Sequence, residues 1–546
     1  MSNALSRWSP ALFAGALFLT QPILATASSG QLVNVQWLQE NLKRDDVLVL
    51  DASPGKLHAE GHIPGALNVD LFSYGGRELP AARMEKLIQS WGVDGGKKIV
   101  IYDQGGTFLA TSLFFDLYYH GFPREGLVVL DGGLAKWQAA GGMVTKDPTP
   151  KPRPGTFRIG KLEESARARL PEFLVASGNP ARSALVEALD PSQHFGADKF
   201  FDRAGHVPNA IMAPVPDFFN ADKTFKSPEE IGRMLTYLGV TPDRQVYSHC
   251  GGGIAAAVPF FAMKFMLDYP DVKLYKESQL EWLRDDRGLP FWTYDAPQMV
   301  REKAWLSGWG GQMLRAFGVS NLSVVDVRPA AAFKQAHVPF AINVPAENFR
   351  RDFATPAKLA EHLGAAGVNT ADEAVIVSDG GLNPDSALAF LMLEELGQRR
   401  VSVLSDSVDD WGFAGLPLEN TTQPADPKNP ANPFAAPRTY PVSLRSGIII
   451  RDPSTTHGLY PKVYIAAGKA LPAKLPEGKV VHVPYTDLVS ANGTPKPAKD
   501  IWDALVKAGV PRYAEIISFS DDPGEAAANY FVFKLMGYPD VKVWML

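Results

Sequence analysis

The feature that most constrains this chain of 546 residues is one pattern that occurs four times: a hydrophobic strand, a glycine-containing turn and a helix. The strand and turn segments are IVIYDQGG from Ile99, QVYSHCGGG from Gln245, AVIVSDGG from Ala374 and EIISFSDDPG from Glu515. Each helix leads into another strand. This order is typical of a parallel sheet covered by helices on both faces. The sequence therefore predicts an α/β fold built from four tandem domains.

A second motif has a histidine, a hydrophobic residue and a proline in the same order. It occurs as GHIPGAL at 61–67, GHVPNAI at 205–211 and AHVPFAI at 336–342, and YIAAGKAL at 464–471 is a weak fourth candidate. Because the copies are one domain length apart, they indicate a domain array and not a solenoid of short repeats. Such a histidine could be a base or a metal ligand, but because the turn also occurs in units without a cysteine, it is expected to fix local hydrogen bonding.

Proline-rich breaks at 146–155 and 421–437, and a junction around 293–305, divide the array. The predicted segments are a signal peptide at 1–27 and four domains at 28–148, 156–295, 300–422 and 438–546.

The N-terminus is typical of an export signal. Arg7 lies in a short positive head, an apolar run extends from Ala11 to Leu24, and Ala25-Thr26-Ala27 matches a small-x-small cleavage site. A retained anchor is the alternative, but the run is short for a membrane span. We expect a periplasmic or secreted protein with no stable membrane span after cleavage.

Composition excludes some classes of function. The net charge is -5, and no stretch is strongly basic, so nucleic acid is not expected as a partner. The ten histidines form no HExxH motif, and there is neither a CxxC pair nor an acidic calcium loop. We therefore expect no metal site and no cofactor.

Cys250 is the only cysteine, so it cannot form a disulfide within the chain. It is a buried hydrophobic residue, an intermolecular linker or a reactive thiol. It lies where a predicted strand ends at Ser248 and a predicted helix begins at Ala255, with three glycines between. Glycines allow consecutive backbone N–H groups to point at one anion, and a helix N-terminus adds positive charge. This favours a site for a thiolate or a persulfide. A phosphate loop is disfavoured because no Lys-Ser or Lys-Thr follows.

The His-hydrophobic-Pro turns, the Cys-x-x-Gly-x-x-Ala loop (Cys250, Gly253, Ala256) and the strands that end near tryptophan resemble the rhodanese superfamily of sulfurtransferases. The resemblance covers nearly the whole mature chain, and the fourth unit matches least. It implies that Cys250 is the catalytic nucleophile, which takes a sulfane sulfur from a donor and holds it as a persulfide. The other units carry Asp103, Asp379 and Asp521 at the corresponding position and would be inactive. Such aspartates are expected to cap helices.

The resemblance also suggests how a substrate binds. Arg203, just before the Gly-His turn, would meet the anionic donor, and the alternative is a salt bridge with Asp202 or Asp198. His249 could pair with the thiolate, although adjacent side chains in a strand point apart. The remaining substrate-binding candidates are the loop residues Gly251, Gly252, Gly253, Ile254 and Ala255.

The donor stays open among thiosulfate, 3-mercaptopyruvate and polysulfide, because residues 250–256 contain no basic residue and lack the Ser and Thr hydroxyls of mercaptopyruvate-preferring relatives. The acceptor would be a thiol or cyanide, with a protein thiol as a further possible partner. The alternative function is a sulfur carrier or docking platform without catalysis.

Overall fold

The computed structural model describes residues 30–74, 78–199, 201–309, 321–420 and 436–545. The predicted signal peptide at 1–27 and most of the predicted linker at 421–437 lie outside the described residues. Among the residues that are described, no helix is both long enough and apolar enough to cross a membrane.

The chain forms four five-stranded sheets, and their strands pair in parallel. Along each sheet the order is first, fifth, fourth, second, third strand of that domain. The strands are β1 Leu32–Val33, β2 Val47–Asp51, β3 Leu67–Asn68, β4 Lys98–Tyr102, β5 Leu127–Leu130, β6 Arg167–Ala168, β7 Ser183–Glu187, β8 Ala210–Met212, β9 Gln245–His249, β10 Val272–Tyr275, β11 Val300–Arg301, β12 Leu322–Asp326, β13 Ile342–Asn343, β14 Glu373–Val377, β15 Arg400–Leu404, β16 Ile449–Ile450, β17 Lys462–Ala466, β18 Lys479–His482, β19 Glu515–Phe519 and β20 Val541–Trp544.

Helices connect these strands and cover the sheets. In the first two domains they are Val35–Asn41, Gly55–Glu60, Leu71–Tyr74, Ala81–Ser90, Leu109–Tyr119, Gly133–Ala139, Leu170–Ser177, Pro191–His194, Pro228–Tyr237, Ala257–Phe261 and Ser278–Trp282. In the last two they are Lys303–Trp309, Ala330–Gln335, Ala346–Arg351, Pro356–Ala366, Pro384–Glu395, Val408–Phe413, Ala498–Ala508 and Pro523–Leu535. The predicted α/β fold with four tandem domains is confirmed.

The central strands are continuous apolar runs because both of their faces are buried. In β4, Ile99 and Ile101 belong to the core on one face of the sheet, whereas Val100 packs on the other face. The alternation places a hydrophobic layer under the helices on each side, as the sequence pattern predicts.

The fourth domain is as regular as the others, although its sequence matches the pattern least. One detail of the prediction is wrong. The segment 464–471 is not a fourth histidine turn, because its first residues belong to β17, the second strand of the sheet. The turn that corresponds to GHIPGAL lies between β17 and β18 and lacks the histidine.

The domains associate in two pairs. Helix Leu109–Tyr119 of the first domain packs against Ala257–Phe261 of the second, with Phe115 and Phe260 in edge contact at 5.0 Å. Helices Pro384–Glu395 and Pro523–Leu535 make the equivalent contact in the other half. The apolar residues of the two facing helices belong to a single buried cluster in each pair, so each pair has one continuous core.

Candidate active site

Cys250 is the first residue after β9, at the carboxyl end of a central strand. Its side chain is buried, with 2% of the residue exposed. The Gly253 N–H donates to Cys250 Sγ at 3.1 Å. The N–H groups of Gly251, Gly252 and Ile254 find no acceptor among the described residues. The loop therefore has backbone donors available for an anion on the sulfur.

The three glycines of the loop differ in what they require. Gly253 has a φ of +78°, and an added Cβ would overlap the Lys276 carbonyl oxygen. At Gly252, by contrast, a Cβ would meet nothing within 4 Å. Gly253 is thus obligatory, while the loop is open beside Gly252. The following helix begins at Ala257, two residues later than the sequence predicts, so Ile254 and Ala255 belong to the loop and are half-buried.

A segment that follows β10 holds the loop from the side. The Cys250 N–H donates to Ser278 Oγ at 3.1 Å, and the Gln279 N–H donates to the Cys250 carbonyl at 3.0 Å. Ser278 is fully buried and has a φ of +53°, a conformation that costs a non-glycine residue about 1 kcal/mol or more. This strained serine fixes the backbone of Cys250.

The same segment joins the loop to the first domain. The carbonyl of Lys276 lies against Gly253, and its buried ammonium group pairs with Asp116 at 2.9 Å. Asp116 lies on the apolar helix Leu109–Tyr119 and also accepts from the Tyr74 hydroxyl at 3.2 Å. The Lys276 charge is therefore neutralised within the domain pair.

Arg203 lies with its guanidinium group against a loop of its own domain. It donates to the carbonyls of Leu283 at 3.3 Å, Trp282 at 2.7 Å, Arg284 at 3.0 Å and also Leu289. Four of its five N–H groups are thus engaged, and Asp285 lies 3.8 Å away. These contacts favour an anchoring role, and the predicted contact with the donor stays a prediction.

His249 and Cys250 lie on opposite faces of the sheet. The His249 ring packs edge-on against Phe173 at 5.1 Å, whereas Cys250 belongs to the core shared with the first domain. Burial lowers the pKa of His249 to about 4, so the ring is neutral at pH 7. As placed, it offers no positive charge to the thiolate.

A buried ionic network lies behind this strand, and the sequence did not indicate it. Glu187, at the end of β7, accepts from His194 Nδ1 and from the Gln279 side chain. Burial alone would lower the pKa of His194, but Asp295 and Glu187 outweigh burial and raise it to about 9. Burial likewise opposes ionisation of Glu187, yet His194 holds the pKa of its carboxyl at about 2. A buried ion pair therefore connects to the Cys250 backbone through Gln279.

The histidines of the three repeated turns behave as expected. In each turn the histidine Nδ1 lies 2.7–2.9 Å from a backbone carbonyl oxygen four to twelve residues earlier. The three histidines are His62, His206 and His337. Each ring also stacks on an aromatic neighbour. Their role in fixing local hydrogen bonding is confirmed.

The register of the sheets corrects the predicted equivalents of Cys250. In each sheet the last residue of the domain's fourth strand pairs with the last residue of its second strand. These fourth-strand residues are Tyr102, His249, Val377 and Phe519. The residues that follow them are Asp103, Cys250, Ser378 and Ser520. Asp379 and Asp521 are therefore one position too late, although Asp103 is correct. The spacing could have shown this, because His337 precedes Ser378 by the same number of residues as His62 precedes Asp103.

Comparison with known proteins gives concordant matches. The model of the family described as "Rhodanese-like domain" matches residues 34–140 and 311–414. A probable 3-mercaptopyruvate sulfurtransferase from Pseudomonas aeruginosa is 30% identical over 280 residues, which are 48% of this chain and 97% of that protein. The sulfur carrier protein TtuD from Thermus thermophilus is 29% identical over 46% of this chain and 93% of its own length. The solved structure of SseA, a 3-mercaptopyruvate sulfurtransferase from Escherichia coli, covers 46% of this chain and 99% of that chain, with a TM-score of 0.42 and 25% identity.

Proposed function

The chain belongs to the rhodanese superfamily of sulfurtransferases, and on this premise we propose that it moves sulfane sulfur from a small donor through a persulfide on Cys250 to a thiol or cyanide. The observation that carries the proposal is the environment of Sγ. It accepts the Gly253 N–H, and neighbouring N–H groups of the loop have no acceptor among the described residues. Such donors stabilise an anionic sulfur.

With thiosulfate as the donor, the Cys250 thiolate attacks the outer sulfur. The bond between the two donor sulfurs breaks, and sulfite leaves with the electron pair. The persulfide anion that remains on Cys250 then lies among the loop N–H groups. Cyanide or a thiolate attacks its terminal sulfur, and the Cys250 thiolate is released. No net oxidation occurs, and no cofactor is needed.

The charges around the loop favour a donor with little need for a cationic pocket. Lys276 is paired with Asp116, and Arg203 is engaged by carbonyls. Residues 250–256 contain no basic side chain. Among thiosulfate, 3-mercaptopyruvate and polysulfide, we therefore propose polysulfide as the preferred donor. The N-terminal sequence supports the proposal that this occurs in the periplasm or outside the cell.

A second candidate is a sulfur carrier without turnover. It is favoured by the similarity to a protein named as a sulfur carrier. In that case the three units without cysteine would serve as docking surfaces for a partner protein thiol.

One experiment separates the candidates. The protein is incubated with thiosulfate, 3-mercaptopyruvate or polysulfide, desalted and weighed intact, and Cys250→Ser is treated in parallel. We expect a gain of about 32 Da in the wild type only, reversed by cyanide. Thiocyanate formation over many turnovers then identifies an enzyme, and loading with a single turnover identifies a carrier. No loading from any of the three donors would contradict both.

A further inference from the structure

The inference concerns three side chains that lie together behind the Cys250 strand: His194, His206 and Asp295. Their ligand atoms all lie within 4.8 Å of one another. Both histidines are fully buried, and the Asp295 side chain is 19% exposed. His194 ends the short helix after β7, His206 lies in the turn before β8, and Asp295 lies in the final segment of the domain, which pairs with that turn at Trp292.

Each histidine has its Nδ1 already committed. His194 Nδ1 donates to Glu187, and His206 Nδ1 lies 2.7 Å from the His194 carbonyl oxygen, which can only accept. A carboxylate or carbonyl on the far nitrogen is the arrangement that orients histidine as a metal ligand through Nε2. Both Nε2 atoms therefore face the Asp295 carboxylate.

The two Nε2 atoms are unequally satisfied. His194 Nε2 is 2.8 Å from Asp295 Oδ1, a distance that one proton explains. His206 Nε2 is 3.7 Å from the same oxygen and has no hydrogen-bond partner among the described residues. A buried nitrogen without a partner costs about 1–3 kcal/mol. The proton on His194 Nε2 satisfies only His194 and Asp295, whereas a divalent cation that displaces this proton into solvent can bind all three groups.

We propose that His194, His206 and Asp295 form a binding site for a divalent transition-metal ion of the Zn²⁺ or Co²⁺ class. A site with two imidazoles and one carboxylate binds such ions in preference to Mg²⁺ or Ca²⁺, which prefer oxygen ligands. The two rings are stacked with 3.7 Å between centroids, so coordination by both requires the His206 ring to tilt toward Asp295. Asp295 also lines a cavity of about 250 Å³ between the second and fourth domains, which gives an entry path and room for water ligands.

The first domain provides an internal comparison. His58 and His62 stack in the same way, with centroids 3.8 Å apart, and Asp51 holds His58 Nδ1 at 2.7 Å. The third position, however, is occupied by Thr149, whose Oγ1 lies 3.4 Å from His62 Nε2. A hydroxyl in place of a carboxylate makes a poor third ligand, so this pair is not expected to hold an ion.

The site would have a mechanical consequence. Glu187 contacts both His194 and Gln279, and the Gln279 N–H holds the Cys250 carbonyl. Asp295 in turn lies against Gly537 of the fourth domain. An ion at Asp295 would thus connect the nucleophile's strand to the fourth domain without touching the reacting sulfur.

The test uses the full-length chain with Cys250→Ser, which removes the thiol as a competing ligand. After treatment with a chelator and dialysis, the protein is titrated with Co²⁺ and then Zn²⁺, followed by visible absorption and metal analysis. We expect one ion per chain and a higher midpoint of thermal unfolding with Zn²⁺. Asp295→Asn and His206→Gln should weaken binding at least about tenfold, whereas His62→Gln in the first domain should leave it unchanged.

Two results would overturn the proposal: no bound Co²⁺ at micromolar protein and metal, or binding that survives Asp295→Asn. If His206→Gln does not fold, the partly exposed Asp295→Asn variant alone decides the outcome.

Discussion

The loops that begin at Asp103 and at Cys250 occupy the same position in neighbouring domains but use their backbone donors differently. The Asp103 carboxylate accepts from the N–H of Gly105 at 2.8 Å, the N–H of Ala110 at 3.0 Å and the Thr107 hydroxyl at 2.6 Å. Cys250 Sγ accepts one N–H. In the first domain the loop is satisfied by its own side chain, as the capping role predicted for Asp103 requires. The same prediction is wrong for Asp379 and Asp521, because Asn383 and Asp522 cap the helices that follow them. In the second domain the donors remain for a ligand.

The surroundings of the two loops differ as well. A hairpin of the second domain, residues 219–225, lies over the first loop, with Lys223 against Gly105 and Gly106. A salt bridge between Lys136 and Asp222 at 2.5 Å holds the hairpin there, and the Phe225 N–H donates a hydrogen bond to the Asp131 carboxylate at 2.8 Å. The third domain repeats the arrangement, since the Leu382 N–H donates to the Gly493 carbonyl at 2.7 Å. The fold thus supplies the loop four times, and side chains together with neighbouring hairpins decide whether chemistry is possible.

The largest expected effect comes from moving the thiol between the two loops. Cys250→Ser should abolish thiocyanate formation, because an alcohol cannot carry the persulfide. Adding Asp103→Cys to that variant should restore nothing, because the hairpin covers the first loop. Steady-state assays with each donor measure both. Activity in the double variant would show that covering by the hairpin does not distinguish the two loops.

A pair of glycine substitutions in the second loop should give the next largest effect. Gly253→Ala places a Cβ into the Lys276 carbonyl at a positive φ and should lower the free energy of unfolding by about 1–3 kcal/mol or more. Sulfur loading should fall with it. Gly252→Ala meets no atoms and serves as the matched control. Urea unfolding and intact mass should separate the two variants, and equal behaviour would contradict the loop geometry.

Arg203→Ala tests an anchor that the first domain lacks, since Ala59 stands at the equivalent place before His62. Loss of hydrogen bonds from a charged group should lower the free energy of unfolding by about 1.5–3 kcal/mol, with KM for the donors unchanged. The control is Arg287→Ala, which removes a surface ion pair with Glu281. Its loss should lower the free energy of unfolding by less than about 1 kcal/mol. A raised KM with unchanged stability would instead establish the donor contact that the sequence predicted.

The smallest effect is expected at Ser278, whose counterpart in the first domain is Gly133 with a φ of +54°. Ser278→Gly relieves backbone strain but removes the acceptor for the Cys250 N–H. Stability should change by less than about 1 kcal/mol, while kcat/KM should fall by a few fold to tenfold, the equivalent of one neutral hydrogen bond. If kcat/KM were unchanged, the strained serine would have no part in holding Cys250 for sulfur transfer.

The sheets were predictable because their central strands are apolar runs, such as Ile99 to Tyr102, that can only be buried on both faces. The position of Cys250 followed from the glycines after it. Asp379 was predicted as the equivalent of Cys250 because SDGG aligns with YDQGG on the aspartate. Strand pairing, which fixes the register, shows that the equivalent residue is Ser378. The cluster of His194, His206 and Asp295 carries no spacing signal, since only the folded strand ends bring it together.

The pairing of helices Leu109–Tyr119 and Ala257–Phe261 has a consequence for biogenesis. The first helix is almost entirely buried, yet its partner is synthesised more than a hundred residues later. A growing chain therefore displays an uncovered apolar helix until the second domain is complete, and such surfaces are prone to aggregation. The unit that acquires a stable structure is consequently the pair, and fragments cut between the first and second domains should depend on chaperones for solubility.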